Sequence, residues 1–280
     1  YYASRGLGDV YKRQHLLVPY IDSYWEFKGN PDYGMRIHIL PDGCTDFIFT
    51  LGEVANAVEE GSLIMQPYRS YFVGPMTKYS ELVTYTESIH MFGVRFLPCG
   101  LSCFTNLPLH EFVNSRVSTN EMKAVFDDTF IEKLGEQKHV TDRIRVVEEY
   151  LLAYLARHYQ PADSHVAMAV NMINHSKGKR SVRSLMDDVC LCQRHFERKF
   201  KHYTGFTPKE YSRIVKFKNA VELLRTTTSA NLLTTAVDAG YYDLAHFSKE
   251  IKSMSGNTPA SFLSLTVPEE TTLTYIEPQR

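Results

Sequence analysis

Val189–Tyr211 reads VCLCQRHFERKFKHYTGFTPKEY, and a diverged copy of its second half returns 51 residues downstream. Phe196, Lys201, Gly205, Thr207 and Pro208 recur as Phe247, Lys252, Gly256, Thr258 and Pro259, with Phe200/Ile251 and Tyr211/Phe262 as apolar equivalents. A repeat at a fixed period means that one supersecondary unit is used twice. Each copy predicts a short helix, a tight turn, a second helix, and then a Gly-x-Thr-Pro punctuation. Gly205 and Gly256 suit a left-handed residue closing a helix, Thr207 and Thr258 suit caps, and Pro208 and Pro259 suit first helical positions. This is the helix-turn-helix pattern, whose second helix enters the DNA major groove. The two second helices are predicted over 193–202 and 244–254.

Working outward, Phe196 and Phe200 stand at i and i+4 and predict the inward face of the first of these helices. Gln193, Arg194, Glu197, Arg198 and Lys201 then point outward. The second copy has six residues between Gly240 and Phe247, one more than between Cys190 and Phe196, and its tip reads Asp243, Leu244, Ala245, His246. Between the copies, 208–224 predicts one helix with Tyr211, Ile214, Val215, Phe217, Val221 and Leu224 inward and Arg213, Lys216 and Lys218 outward. A helix of that length sets the two recognition helices about one DNA turn apart.

The runs LMDDVCLCQRHFERKFKHYTGFTPKEYSRIVKFKNAVELL and AVDAGYYDLAHFSKEIKSMSGNTPASF make residues 164–265 resemble the DNA-binding domain of AraC/XylS-type transcription regulators. Where that family usually has Ala, Gly and Ser, this chain has Met186, Cys190 and Cys192, and Cys190 occupies a turn position that favours glycine. The resemblance implies base contacts from Arg194, Glu197 and Arg198 in copy one, and from Leu244, Ala245, Ser248 and Lys249 in copy two. Arg can bond guanine bidentately and Glu can accept from cytosine, whereas Leu and Ala can only touch thymine methyls. Copy one is therefore expected to carry most of the specificity. Gln193, Lys201, Arg213, Lys216 and His246 are phosphate or flanking candidates. In the family, the position of Arg213 often makes a structural salt bridge instead. The implied partners are double-stranded operator DNA, RNA polymerase, a small-molecule effector and a second copy of the chain, in a bacterial cytoplasm.

Charge follows the same division. Residues 164–265 carry 15 Lys/Arg against 8 Asp/Glu, a net +7, while the rest of the chain carries −8. A basic module on an acidic body is the asymmetry of a nucleic-acid-binding unit fused to something else. The 280 residues suffice for two cores, and no apolar run is long enough to predict a membrane helix. Five cysteines, an odd number with Cys190 and Cys192 close together, predict reduced thiols and not a disulfide framework.

Upstream, 15–135 predicts short strands at 21–27, 35–40, 46–51, 71–73, 81–85 and 88–96, rich in β-branched and aromatic residues and separated by Gly, Pro, Asn and Asp. The prediction is a small β-barrel or sandwich. HILPDGCTDFIF followed by FVGPM resembles the cupin-like sensor barrel of a subgroup of the same regulators. The fold class expected is thus α+β multidomain: a cupin-like N-terminal barrel with helices, then an all-α double helix-turn-helix domain. Tyr24, Trp25, His38 and Arg95 are ligand-lining candidates, with Phe47, Phe49 and Phe92 beside them. Arg95 is the anchor for an acidic effector, and filling of the barrel interior is the competing reading for each aromatic. His38 and His90 lie on separate strands without a His-x-His plus Glu cluster, and Cys99 and Cys103 lack further partners, so neither metal nor cofactor is expected. Asp42 and Asp46 read as turn residues. No enzymatic activity is expected; the rivals are an N-terminal domain that only binds proteins and, more remotely, a cupin-type enzyme fused to a DNA-binding domain.

Short helices are predicted at 101–104, 109–112 and 121–126. A longer one at 140–159 carries Val140, Ile144, Val147, Leu151, Tyr154 and His158 at steps of four and three residues, which suits either a dimer seam or packing on its own domain. Segment 136–163 is that helix and a linker ending in Asp163 or Ser164 as cap. Residues 1–14 are expected to be non-native or disordered, and 266–280 to form a flexible tail.

Overall fold

Alternation of side chains across the pleat puts neighbouring residues of a strand on opposite faces, and in this chain both faces of the central strands are apolar. The computed structural model describes residues 16–57, 63–122, 125–126, 128–158, 160–189, 191–226, 232–263 and 272–276. Its N-terminal strands are β1 (Ile21–Gly29), β2 (Met35–Ile39), β3 (Thr45–Thr50), β4 (Asn56–Ala57), β5 (Ser70–Val73), β6 (Ser80–Thr84), β7 (Ile89–Phe96) and β8 (Arg116–Ser118). They form two antiparallel sheets. One has the order β8-β5-β3-β7-β1-β9, in which β9 (Thr272–Ile276) comes from the far end of the chain; the other has the order β2-β6-β4.

The register explains the doubly apolar strands. Tyr24, Phe47, Phe49, Phe72, Phe92, Val94 and Phe96 project from one face of the larger sheet into a core completed by Phe126, Phe130 and Leu134. Trp25, Phe27, Ile48, Tyr71, Val73, Ile89 and Met91 project from the other face, against Ile37 and Leu82 of the smaller sheet. Three layers result: small sheet, large sheet, helices. The helical layer is α1 (Asp128–Gly135) and α2 (Val140–His158).

The closed barrel expected from the sequence does not form. Among the described residues no ladder joins β8 to β9 or one sheet to the other, so the domain is an open sandwich with a helical cover. Strand periodicity reports which residues are buried, and a sandwich and a barrel bury the same ones. Smaller differences concern the connections. Segments 100–103 and 109–112 are single 3-10 turns. The helix expected at 121–126 is replaced by a 3-10 turn at Thr119–Glu121, with part of the span outside the described residues. The tail expected to be flexible contains β9, which pairs with β1 from Tyr24↔Ile276 to Lys28↔Thr272. Residues 1–14 lie outside the described residues.

Helix α2 uses its apolar stripe within its own domain. Ile144, Val147 and Leu151 are at most 5% exposed in the core beneath the large sheet. Arg143 and Glu148 on the same side are buried too, Arg143 donating to Glu26 at 2.7 Å and Tyr24 donating to Glu148 at 3.3 Å.

The C-terminal domain contains α3 (Ser164–His175), α4 (Val182–Val189), α5 (Gln193–Thr204), α6 (Pro208–Thr226), α7 (Leu232–Asp238), α8 (Leu244–Ser255) and α9 (Pro259–Leu263). They enclose one core, in which Phe196, Phe200, Phe206, Tyr211, Ile214 and Phe217 meet Phe247, Ile251 and Phe262. Asp163 caps α3 by accepting from the N–H groups of His165 and Val166, one of the two alternatives read from the sequence. The core reaches into the N-terminal domain: Cys99 belongs to it and Leu40 packs against it. A Cβ on Gly43 would stand 2.6 Å from Cε2 of Tyr211, so α6 sits directly against the turn that precedes β3.

Candidate DNA interface

Both recognition helices end by the same device. Gly205 and Gly256 close α5 and α8 at φ +83° and +74°, each donating its N–H to a lysine carbonyl, Lys201 or Lys252. The residue before each glycine carries a hydroxyl: Thr204 donates to Phe200 O at 2.7 Å and accepts from Phe206 N–H, and Ser255 donates to Ile251 O at 2.6 Å and accepts from Asn257 N–H. These bonds occupy backbone groups that a helix end leaves unpaired. Thr207 and Glu210 form a reciprocal capping box at the start of α6: Glu210 N–H donates to the Thr207 hydroxyl and Thr207 N–H donates to the Glu210 carboxylate. In copy two, Asp243 caps α8 through His246 N–H. The turn residue Cys190 lies outside the described residues.

Phe196 and Phe200 are fully buried, which turns the remaining face of α5 to solvent. Gln193, Arg194, Arg198 and Lys201 are exposed and Glu197 is half-buried. Gln193 donates to the Glu197 carboxylate at 2.8 Å, and the Arg198 guanidinium lies 3.3 Å from His195 Nδ1. On α8, burial of Phe247 and Ile251 leaves Leu244, Ala245, His246 and Lys249 exposed and Ser248 half-buried. Tyr242, two residues ahead of Leu244, is 93% exposed. It was not singled out from the sequence, although an aromatic next to a helix cap would have been the signal. The α8 tip is therefore apolar where the α5 tip is charged.

Helix α6 joins the two copies through more than its backbone. Arg213 makes a two-pronged contact with Glu250 of α8, at 2.6 Å and 3.0 Å. Lys216 donates to Gly240 O at 3.3 Å and lies over the Tyr241 ring. These two of the five phosphate or flanking candidates thus hold copy two onto the linker helix. A third tie was not read from the sequence: Lys199 of α5 donates to Asp163 at 2.6 Å. Burial alone would raise the Asp163 carboxyl, but Lys199 and the Val166 N–H hold it below its usual range. Spacing along the chain gives no sign of a pair 36 residues apart.

The ligand-lining candidates of the N-terminal domain are dispersed. Tyr24 lies in the core under the large sheet and Trp25 in the core between the sheets. His38 stacks on Tyr79 from the smaller sheet. Phe47, Phe49 and Phe92 fill the core against Phe126 and Phe130. Arg95 bonds both carboxylates that were read as turn residues, Asp42 at 2.8 Å and Asp46 at 3.0 Å, and Trp25 donates to Asp46 at 2.8 Å. Burial raises the Asp42 carboxyl, yet Arg95 and, from α6, Lys218 outweigh it and hold the group below its ordinary value. Among the described residues, no group of three His, Cys, Asp or Glu is arranged to hold a metal ion, and no helix is long and apolar enough to cross a membrane.

Residues 185–264 match the family model described as "Helix-turn-helix domain", and residues 11–118 match "Domain of unknown function (DUF6597)". No curated protein sequence matches the chain. Among solved structures it is similar to ToxT from Vibrio cholerae, with TM-score 0.53 and 10% identity over 88% of this chain and 100% of that one. A second ToxT structure, from strain O395, gives TM-score 0.50 and 10% identity over 86% and 97%. A probable AraC family transcriptional regulator from Rhodopseudomonas palustris is 20% identical over 38% of this chain and 100% of that one, with TM-score 0.34. The likeness to ToxT is one of fold: an antiparallel sheet domain with helices, followed by a helical domain.

Proposed function

We propose that the protein is an AraC-type, sequence-specific transcription regulator that reads two successive major-groove segments of double-stranded DNA; the helix-turn-helix match over residues 185–264 supports this reading. The observation that carries this reading is the repetition of one helix-ending device at Gly205 and Gly256, which presents α5 and α8 with their outer faces exposed. In this reading Arg194, Glu197 and Arg198 contact base edges. Leu244, Ala245 and Ser248 supply a weaker, more apolar readout beside Lys249, which binds phosphate, and Gln193, Lys201 and His246 flank the phosphates. The cell compartment is the cytoplasm, and RNA polymerase is a further partner. Random-library DNA selection with the full-length protein tests the reading. Enrichment of a two-block motif supports it, and recovery of no sequence above background rejects it.

The N-terminal domain is proposed to modulate this binding by taking up a small molecule that favours one arrangement of the domains. One observation favours a second reading, in which the domain acts through protein contacts: the aromatics named as lining fill cores, and the Arg95 guanidinium is engaged by two carboxylates. A metabolite that competes with or enhances DNA binding decides for the sensor. A dimer would pair through a surface other than the α2 stripe, because Ile144, Val147 and Leu151 are buried in their own domain.

A further inference from the structure

One short segment of the N-terminal domain touches the ends of both recognition helices. A Cβ on Gly205, which closes α5, would stand 2.6 Å from Pro75 Cγ and 3.2 Å from Leu109 O. A Cβ on Gly256, which closes α8, would stand 2.7 Å from Cζ of Tyr79. The two glycines are equivalent positions of the repeat, and Pro75 and Tyr79 are only four residues apart in the connection between β5 and β6. The glycines that end the helices thus also make room for the neighbouring domain.

The segment is itself held in place. Asn114 donates its N–H to Pro75 O at 2.8 Å, and its side chain accepts from Thr77 N–H at 2.9 Å. Gly74 donates to Ser115 O at 3.0 Å and lies so close to Phe112 that a Cβ would meet its carbonyl at 1.9 Å. At the other end the Tyr79 ring stacks on His38, with centroids 5.7 Å apart and planes 6° from parallel. A segment pinned at both ends, and touching two helix ends at fixed points, constrains the distance between them.

We propose that Pro75–Tyr79 is a positioning segment for DNA recognition, which reinforces the spacing given by α6 and so narrows the range of separations at which the two blocks of an operator are accepted. This rests on the two-block reading above. Inserting one base pair between the blocks moves the second by about 3.4 Å and rotates it by roughly a tenth of a turn. A rigid pair of readers rejects that change, and a loosened pair tolerates it. Tyr79 and Pro75 touch no base; they act through the helices.

The test uses the full-length protein, its selected operator, and versions with one base pair added to or removed from the spacer. Wild type is expected to favour the selected spacer by about tenfold or more, a discrimination comparable to that of a mismatched base pair. Tyr79→Ala and Pro75→Ala should reduce that ratio to within about threefold, while Tyr79→Phe, which keeps the ring, should preserve it. A merely structural role would lower affinity for all spacers alike and leave the ratio unchanged, so an unchanged ratio in both alanine variants overturns the proposal. Thermal melting of each variant confirms that the comparison is between folded proteins. A wild-type protein that selects no two-block site would instead reject the underlying DNA-binding reading, which is a separate result.

Discussion

Copy one and copy two of the helix-turn-helix repeat share their interior and differ at their surface. Phe196, Phe200 and Thr204 are matched by Phe247, Ile251 and Ser255, all buried, and both helices close on a left-handed glycine. Outside, copy one presents Arg194 and Arg198, whereas copy two presents Tyr242 before α8 and Leu244 and Ala245 on it, ahead of Lys249. The difference shows that packing constrains one set of positions tightly and leaves the other to take on distinct chemistry.

The largest effects should come from the shared interior. Phe196→Ala and Phe247→Ala each remove a fully buried ring and are expected to cost about 3–5 kcal/mol, measured by urea unfolding of the full chain. Similar losses would support equivalence of the copies; tolerance of one alone would break it. Next come the surfaces. Arg194→Ala or Arg198→Ala should weaken binding to the selected sequence by about 1–3 kcal/mol and blur one block. Lys249→Ala should weaken binding to all sequences alike and lower the salt slope by about 1. If the arginine variants behaved like Lys249→Ala, copy one would not be the principal reader.

Two smaller effects concern what ties the copies down. Asp163→Ala should cost about 1 kcal/mol through loss of the α3 cap, read from the denaturation midpoint. The carboxyl of Asp163 is held below its ordinary value of 3.8 in the folded chain. Its contribution is therefore complete above that value and is lost as the pH falls through the lower, folded one. Acid titration of wild type should show a loss of stability that Asp163→Ala lacks. Arg213→Gln breaks a half-exposed pair with Glu250 and should cost about 0.2–1 kcal/mol. A fall of about 1 in the salt slope of this variant would add a phosphate contact to its structural role.

The parts of the molecule that were legible in sequence are those whose signals are local and repeated. The glycine caps, the apolar pairs at i and i+4, and the boundaries of α5 and α8 could be read from residues a few positions apart. Strands β1 to β3 and β5 to β7 were equally plain from their β-branched and aromatic runs. What escaped depends on long-range pairing. No local pattern says that β1 takes β9 as its second neighbour, that the large sheet stays open, or that Lys199 reaches Asp163. The apolar stripe of α2 was visible, but a stripe does not name its partner, and here the partner is its own sheet. Arg95 is legible as a charge within an apolar strand; its two carboxylates lie 49 and 53 residues away, beyond any spacing rule. The distinct fates of neighbouring Tyr24 and Trp25, buried in different cores, follow from a sheet covered on both sides.

The pairing of β9 with β1 makes the entire helical domain an insertion, entered from the N-terminal domain and left again into the same sheet. A domain attached at one end swings on its linker, whereas one attached at both is restrained like a door with two hinges. The returning strand thereby takes over from β1 as the edge strand of the large sheet. A protein truncated before Thr272 should therefore hold its helical domain more loosely.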